Sequence, residues 1–331
     1  MPTRSVAAGA ASALRAVFAG AGVAMMGEAP VVTAVLSLSG KPPSQQNLLY
    51  LGTATYDLPS FREKQTKGFA ERGVRVTTLD VATTVPSEAD VASAIDDADL
   101  ILVSGGNTLF AVDRWHRAKM VEPLRRAMLR GATLCGGSAG AGCWFDSIHS
   151  DSMDPDWYRD IMLAGGGAAA EKDPAAAEAA AAGPEASRKW EYIRVPALGF
   201  LPGLLCPHHD RTQSNGVLRS TDFASMLGRH GGESGIAIDH FAALVINNGQ
   251  YEVLRLEGKP GSLMPSGANE PGNGTPACWL KKLGKDGKLE ERPLPDRGDL
   301  LELLESLEPA GEIVEDPRVA VARVENPSED L

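Results

Sequence analysis

Between residues 15 and 144, short apolar or β-branched runs alternate with helix-like stretches, and this alternation restricts the fold more than any other feature of the chain. Residues 13–19 (ALRAVFA), leading into Gly20-Ala21-Gly22, read as a first buried strand and its turn, and 47–52 (NLLYLG) as a second strand. Ser60 is expected to cap a helix through FREKQTKGFAERG, which ends at Gly73. Residues 74–81 (VRVTTLDV) alternate as a strand does. Residues 87–98 open on a Ser cap followed by acids in the first turn, where the helix dipole favours them. LILV at 100–103 is apolar throughout, as a parallel strand covered on both faces must be. One long amphipathic helix is expected over 108–130, then a strand over 132–135. Strand and helix in turn predict an α/β chain: a mostly parallel sheet with right-handed crossovers, flanked by helices on both faces.

Residues 164–187 (AGGGAAAEKDPAAAEAAAAGPEAS) form a low-complexity stretch with little to bury, read as a solvated insertion. Sheet-like runs resume after it at 193–196, 235–238 (GIAI), 242–247 (AALVIN) and 251–256. The Asn248-Gly249 pair between the last two predicts a hairpin, so antiparallel strands are expected at one sheet edge near the C-terminus. The organisation expected is an N-terminal extension at 1–13, one α/β domain at 14–295, and an acidic tail or loosely packed final helix at 296–331.

Charge narrows the partners. The chain's 32 Lys+Arg against 43 Asp+Glu leave a net charge of −11, with no basic run to meet a phosphate backbone, so no nucleic-acid partner is expected. No stretch reads as a spanning helix, and no membrane partner is expected. The four cysteines show no C-x-x-C spacing, which points to a reducing compartment. Residues 1–26 carry Arg4 and Arg15 and no acid, as an import segment would, but Arg15 cuts the apolar run. A cytoplasmic protein is the reading adopted, with organelle import left open. Homodimerisation is also left open.

The chemistry concentrates at 132–145, ATLCGGSAGAGCWF. A strand running into Gly136-Gly137-Ser138-Ala139-Gly140 satisfies G-x-S-x-G where a nucleophile elbow sits: glycines tolerate the sharp turn and the serine is thrust up at the strand end. Amides after Ser138 open a helix and favour a developing oxyanion. Ser138 is therefore the expected nucleophile, and the Ala139 N–H one oxyanion donor. The preceding strand ends in Ser104-Gly105-Gly106-Asn107-Thr108. If the two strands are parallel neighbours, the Gly106 N–H supplies a second donor. The plainer reading is a routine loop, with Asn107 as turn residue and Thr108 as helix cap.

A serine needs a base. Cys206-Pro207-His208-His209-Asp210 follows an apolar run, so His208 or His209 is expected in that role. Asp151, two residues after His149 in SIHSDSMDP, is a carboxylate that could orient the imidazole. His116, His230 and His240 read as surface or strand-end residues. A zinc or manganese site from His149, Asp151, His208, His209 and Asp210 is the competing reading. Adjacent histidines on an extended chain point opposite ways, however, and a metal leaves the serine elbow unexplained, so no metal or other cofactor is expected. Cys135 and Cys143 are further nucleophile candidates, expected instead to pack as small apolar groups.

Together these residues resemble the peptidase E and cyanophycinase group of serine peptidases, whose α/β fold is shared with class I glutamine amidotransferases. The resemblance runs from about residue 14 to 256. It rests on Gly105-Gly106-Asn107-Thr108, Gly137-Ser138-Ala139-Gly140-Ala141 and Pro207-His208. It implies a Ser138–His208–Asp151 triad, with Asp154 or Asp239 as alternative third members, and Asn107, Arg219 and Asp239 as substrate contacts. It also implies a serine-type peptidase acting on short, Asp-containing peptides. A cyanophycinase-like action on an Asp-Arg polymer and a non-catalytic ligand-binding protein are the alternatives. An amidotransferase would carry Cys at the elbow, where this chain has Ser138.

Overall fold

Each strand of the expected α/β half forms where the apolar runs lie, but the chain folds into two mixed sheets rather than one. The structure is a computed structural model and describes residues 12–165, 189–230, 233–259, 275–284, 287–307 and 314–328. The strands are β1 (Arg15–Ala19), β2 (Asn47–Leu51), β3 (Arg75–Thr78), β4 (Leu100–Val103), β5 (Thr133–Gly137), β6 (Phe145–Ser150) and β7 (Ile193–Pro196). They continue with β8 (Leu201–Cys206), β9 (Ser234–Ile238), β10 (Ala242–Asn247), β11 (Gln250–Arg255), β12 (Cys278–Leu283), β13 (Leu289–Pro293) and β14 (Arg297–Asp299).

The first sheet runs β14-β11-β10-β1-β5-β4-β2-β3. Its β1, β5, β4, β2 and β3 are parallel, and β10, β11 and β14 extend it antiparallel, as the hairpin signal predicts. Asn248 and Gly249 both take positive φ, 49° and 73°, the turn geometry that matches strand twist. The second sheet runs β13-β12-β9-β8-β6-β7. Its first strand in the chain, β6, overlaps the SIHSDSMDP segment and is not among the strands expected from sequence. Its polarity hid it: Ser147 and His149 are fully buried, and they bond Glu233 and Asp222.

Alternation along β1 divides the core. Ala16 and Phe18 join the cluster shared by both sheets, with Leu134, Phe145, Leu205 and Ile238. Val17 and Ala19 face Met25, Val31 and Val35 beneath the helix Ala29–Leu38. On the second sheet's outer side Leu204, Cys206 and Ala237 pack on Phe223, Met226 and Leu227 of the helix Arg219–Arg229.

Three local expectations are corrected. The helix predicted over 108–130 is two, Thr108–Arg117 and Val121–Arg130, separated where Lys119 turns to φ 55°. Pro123, which cannot donate to a preceding carbonyl, is compatible with a helix start there and not with a helix interior. Ser60 does not cap its helix, because Pro59 already occupies the first turn. Asn107, not Thr108, caps the next: its side chain accepts from Phe110 N.

Ser87 caps Glu88–Asp96 as expected. Part of the predicted tail is built into the fold. β14 pairs with β11, Leu300 and Leu303 enter the shared core, and Val319 and Ala322 pack on Ile148 and Val195. Residues 1–11 of the expected import segment and 166–187 of the insertion lie outside the described residues, whereas Met25 and Met26 are core. No helix among the described residues is long and apolar enough to cross a membrane.

Candidate active site

The turn after β5 is forced into shape by close backbone packing. A Cβ on Gly137 would stand 1.8 Å from Ala21 O, and one on Gly140 2.1 Å from Val103 O, so only glycine fits on either side of the serine. Ser138 itself takes φ 55° and ψ −119°, a conformation unfavourable for a side-chain-bearing residue and held here by its surroundings. The helix that follows is one turn, Ala139–Gly142. The Ala141 and Gly142 N–H groups donate to Ser138 O, so what this turn can offer an anion is the Ala139 and Gly140 N–H groups rather than a helix-long dipole.

As expected, β4 is the parallel neighbour of β5, and its loop reaches the elbow: a Cβ on Gly105 would lie 3.4 Å from Ser138 Cβ. The amides of Gly106 and Ala139 donate to no other described residue, and Ser138 Oγ likewise has no hydrogen-bond partner among them. Unpaired amide donors beside a strained serine have the composition of an oxyanion hole.

His208 arrives from β8. Its N–H donates to Gly20 O at 3.1 Å, and Ser138 N–H donates to Ala19 O at 3.1 Å, so consecutive carbonyls at the end of β1 anchor both backbones. The His208 ring is bonded Nδ1 to Nδ1, 2.8 Å, with His240. Burial above all, then the neighbouring His240 ring and the positive charge of Arg219 and Arg211, holds His208 well below the usual imidazole range. His209 points away, its Nδ1 2.9 Å from Asp239 Oδ1, so the adjacent histidines diverge. Among the described residues no three His, Cys, Asp or Glu side chains form a metal-ligand group. Burial also raises all four thiols, Cys206 to about 12. That disfavours Cys135 and Cys143 as nucleophiles.

None of the three candidate carboxylates bonds His208. Asp151 Oδ2 pairs with Arg219 at 2.8 Å. Asp154 accepts from Ser214 Oγ and Asp156 N, and burial pushes its carboxyl up to about 6. Asp239 accepts from His209, Ala277 N and Trp279 Nε1.

Two expected substrate contacts are also spent inside the fold. Asn107 is fully buried, with Oδ1 on Phe110 N and Nδ2 donating to Tyr56 Oη at 3.1 Å and Trp157 O at 3.3 Å. Arg219, fully buried over the Tyr192 ring, donates to Pro207 O at 3.1 Å while it pairs Asp151. It is a clamp on the segment that carries His208. Sequence reading placed His240 as a surface or strand-end residue and gave it no role; it does follow a strand end, β9. The residue is buried, in the link between β9 of one sheet and β10 of the other. The available signal was its place directly after a strand whose carboxylate, Asp239, had already been singled out.

The sequence profile of peptidase family S51 matches residues 16–167, the part that contains β1, both glycine-rich strand ends and Ser138. A Trypanosoma brucei brucei protein named G2/mitotic-specific cyclin-1 is 29% identical over 90% of this chain and 89% of its own length. The uncharacterized peptidase YgaJ of Bacillus subtilis is 30% identical over 50% of this chain, and the match spans about half of it, 54%. The crystal structure of a peptidase from an acI-B1 Actinobacterium is similar in fold, with a TM-score of 0.54 at 13% identity, covering 86% of this chain and 96% of that one.

Proposed function

Since this chain belongs over residues 16–167 to peptidase family S51, the peptidase E family, we propose that it is a serine peptidase cleaving short acidic peptides, with Ser138 as nucleophile and His208 as base. The observation that carries the reading is the strained Ser138 with unpaired amides at Gly106 and Ala139 and with His208 tethered to Gly20 O, the carbonyl after the one that holds Ser138. Ser138 Oγ attacks the scissile carbonyl and passes its proton to His208 Nε2, the nitrogen left over once Nδ1 is occupied by His240. The Gly106 and Ala139 N–H groups take the oxyanion. Collapse returns the proton to the leaving amine, and water then repeats the sequence on the acyl-enzyme.

Charge near the base supports an anionic substrate. Arg211, which also pairs Asp210 at 3.9 Å, and Lys259 both lie over the Phe241 ring beside His240, at 5.1 and 5.3 Å. The test is hydrolysis of a dipeptide library by the wild type and Ser138→Ala. The reading expects Asp-X dipeptides to be preferred and turnover to vanish in the variant. An Asp-Arg polymer in the same assay tests the cyanophycinase-like substrate. Binding of acidic dipeptides without hydrolysis would favour a ligand-binding role.

A further inference from the structure

We propose that His240 is the positioning residue for His208, taking at Nδ1 the place that a carboxylate holds in a Ser-His-Asp triad. The inference rests on the peptidase reading above for its kinetic consequence, but its geometric content stands apart from it. Two imidazoles joined Nδ1 to Nδ1 at 2.8 Å share one proton between those atoms. If it sits on His208, His240 is the acceptor, His208 Nε2 bears the lone pair, and His240 carries its own proton on Nε2. If it sits on His240, then a neutral His208 is protonated on Nε2 and cannot act as a base toward serine. The partner ring therefore decides whether His208 is competent.

His240 is built to hold still. Its N–H donates to Asp210 Oδ1 at 2.7 Å, and its ring stands edge-on to Phe241, with centroids 4.5 Å apart. It is buried, and His208 is partly buried. The three carboxylates considered for that place are engaged elsewhere: Asp151 with Arg219, Asp154 with Ser214, Asp239 with His209. Burial above all, then the surrounding positive charge, keeps His240 neutral, as an acceptor must be. Arg211 comes from the loop after β8, Arg219 from the helix over the second sheet, and Lys259 from beyond β11, against Asp210 on the same loop as Arg211 and Asp239 at the end of β9. A neutral partner fixes direction without offsetting the imidazolium charge, the one respect in which it differs from a carboxylate.

The direct test is 15N NMR of the histidine rings in the intact protein. The proposal expects His208 as the Nδ1–H tautomer and His240 as the Nε2–H tautomer, with His208 losing that preference in His240→Phe. An Nε2–H His208 in the wild type overturns it, whether or not the protein proves to be a peptidase. Kinetics give the second arm, on any peptide whose cleavage requires Ser138. His240→Phe, which has no acceptor, should lower kcat by roughly 10² or more with KM within about threefold. His240→Asp, which keeps an acceptor at the same branch position, should restore most of the rate and move the acid limb of the pH profile upward. Equal losses in the two variants, or a normal rate in His240→Phe, contradict the proposal. Absence of any Ser138-dependent cleavage would instead count against the peptidase reading and leave the NMR result to decide this one.

Discussion

Ser138 and His208 are suspended from consecutive carbonyls at the end of β1, Ser138 N–H on Ala19 O and His208 N–H on Gly20 O, each at 3.1 Å. The two backbones follow strands of different sheets, β5 of the first and β8 of the second, so the residues proposed as nucleophile and base both hang at the seam between the sheets. Gly20 is pressed against this seam. A Cβ there would lie 2.0 Å from Asp239 O, the residue before His240.

The elbow's packing predicts a folding phenotype. Gly137→Ala drives a methyl into the Ala21–Gly22 peptide, which is backbone, with no flexible side chain to yield. The loss should be about 3 kcal/mol or more, at the upper end for overpacking, with a lowered Tm or poor soluble yield. Gly249→Asn, in an open hairpin turn at φ 73°, should cost well under 1 kcal/mol. Equal Tm values for Gly137→Ala and wild type would contradict the packing described.

Arg219 makes a different demand. Arg219→Met strands Asp151 without its cation and releases Pro207 O, so stability should fall by about 3–5 kcal/mol in urea unfolding, as when one member of a buried pair is removed. Arg219→Met, Asp151→Leu should recover much of that loss. A single-variant cost below about 1 kcal/mol would show that the clamp is idle.

Much of this architecture is legible in the sequence, and the parts that are not have physical reasons. The five parallel strands of the first sheet announce themselves because burial on both faces, or strict alternation, leaves a clean apolar signature, as in LILV at 100–103. The G-x-S-x-G turn and the Gly105-Gly106 loop are legible because close approach demands glycine. β6 is not, since His149 and Ser147 are polar groups whose burial is compensated by Asp222 and Glu233, partners far away in the chain. The same blindness hid the roles of Arg219 and His240. Residue type shows a cation or an imidazole, while burial and partner are decided by two sheets meeting.

His149 gives a stability test with a definite sign. Burial, opposed in part by Asp222, pushes it down to about 4, so the folded ring stays neutral between pH 6.5 and 4 while the unfolded ring takes a proton. The unfolded state then binds more protons, and this residue's contribution to stability is lost as pH falls through that window. Wild type should lose roughly 3 kcal/mol relative to His149→Gln between pH 7 and pH 4, at about 1.4 kcal/mol per pH unit. Parallel stability curves for the two proteins would refute it.

The pH dependence of hydrolysis follows from His208. With burial and neighbouring positive charge holding it well below the ordinary range, it remains a neutral base in mildly acidic solution. The reading expects kcat/KM to show no acid limb near 6.5 and to persist at pH 5. A limb centred at 6.5 that disappears in His208→Gln would mean that the ring is solvated in the working enzyme.

The most direct measurement is the intact mass of the protein after treatment with a fluorophosphonate. One adduct per chain, mapped to Ser138 and absent from both Ser138→Ala and His208→Ala, is the predicted result. A wild-type chain that stays unlabelled, or one labelled as fast without His208, would contradict a serine activated by that imidazole.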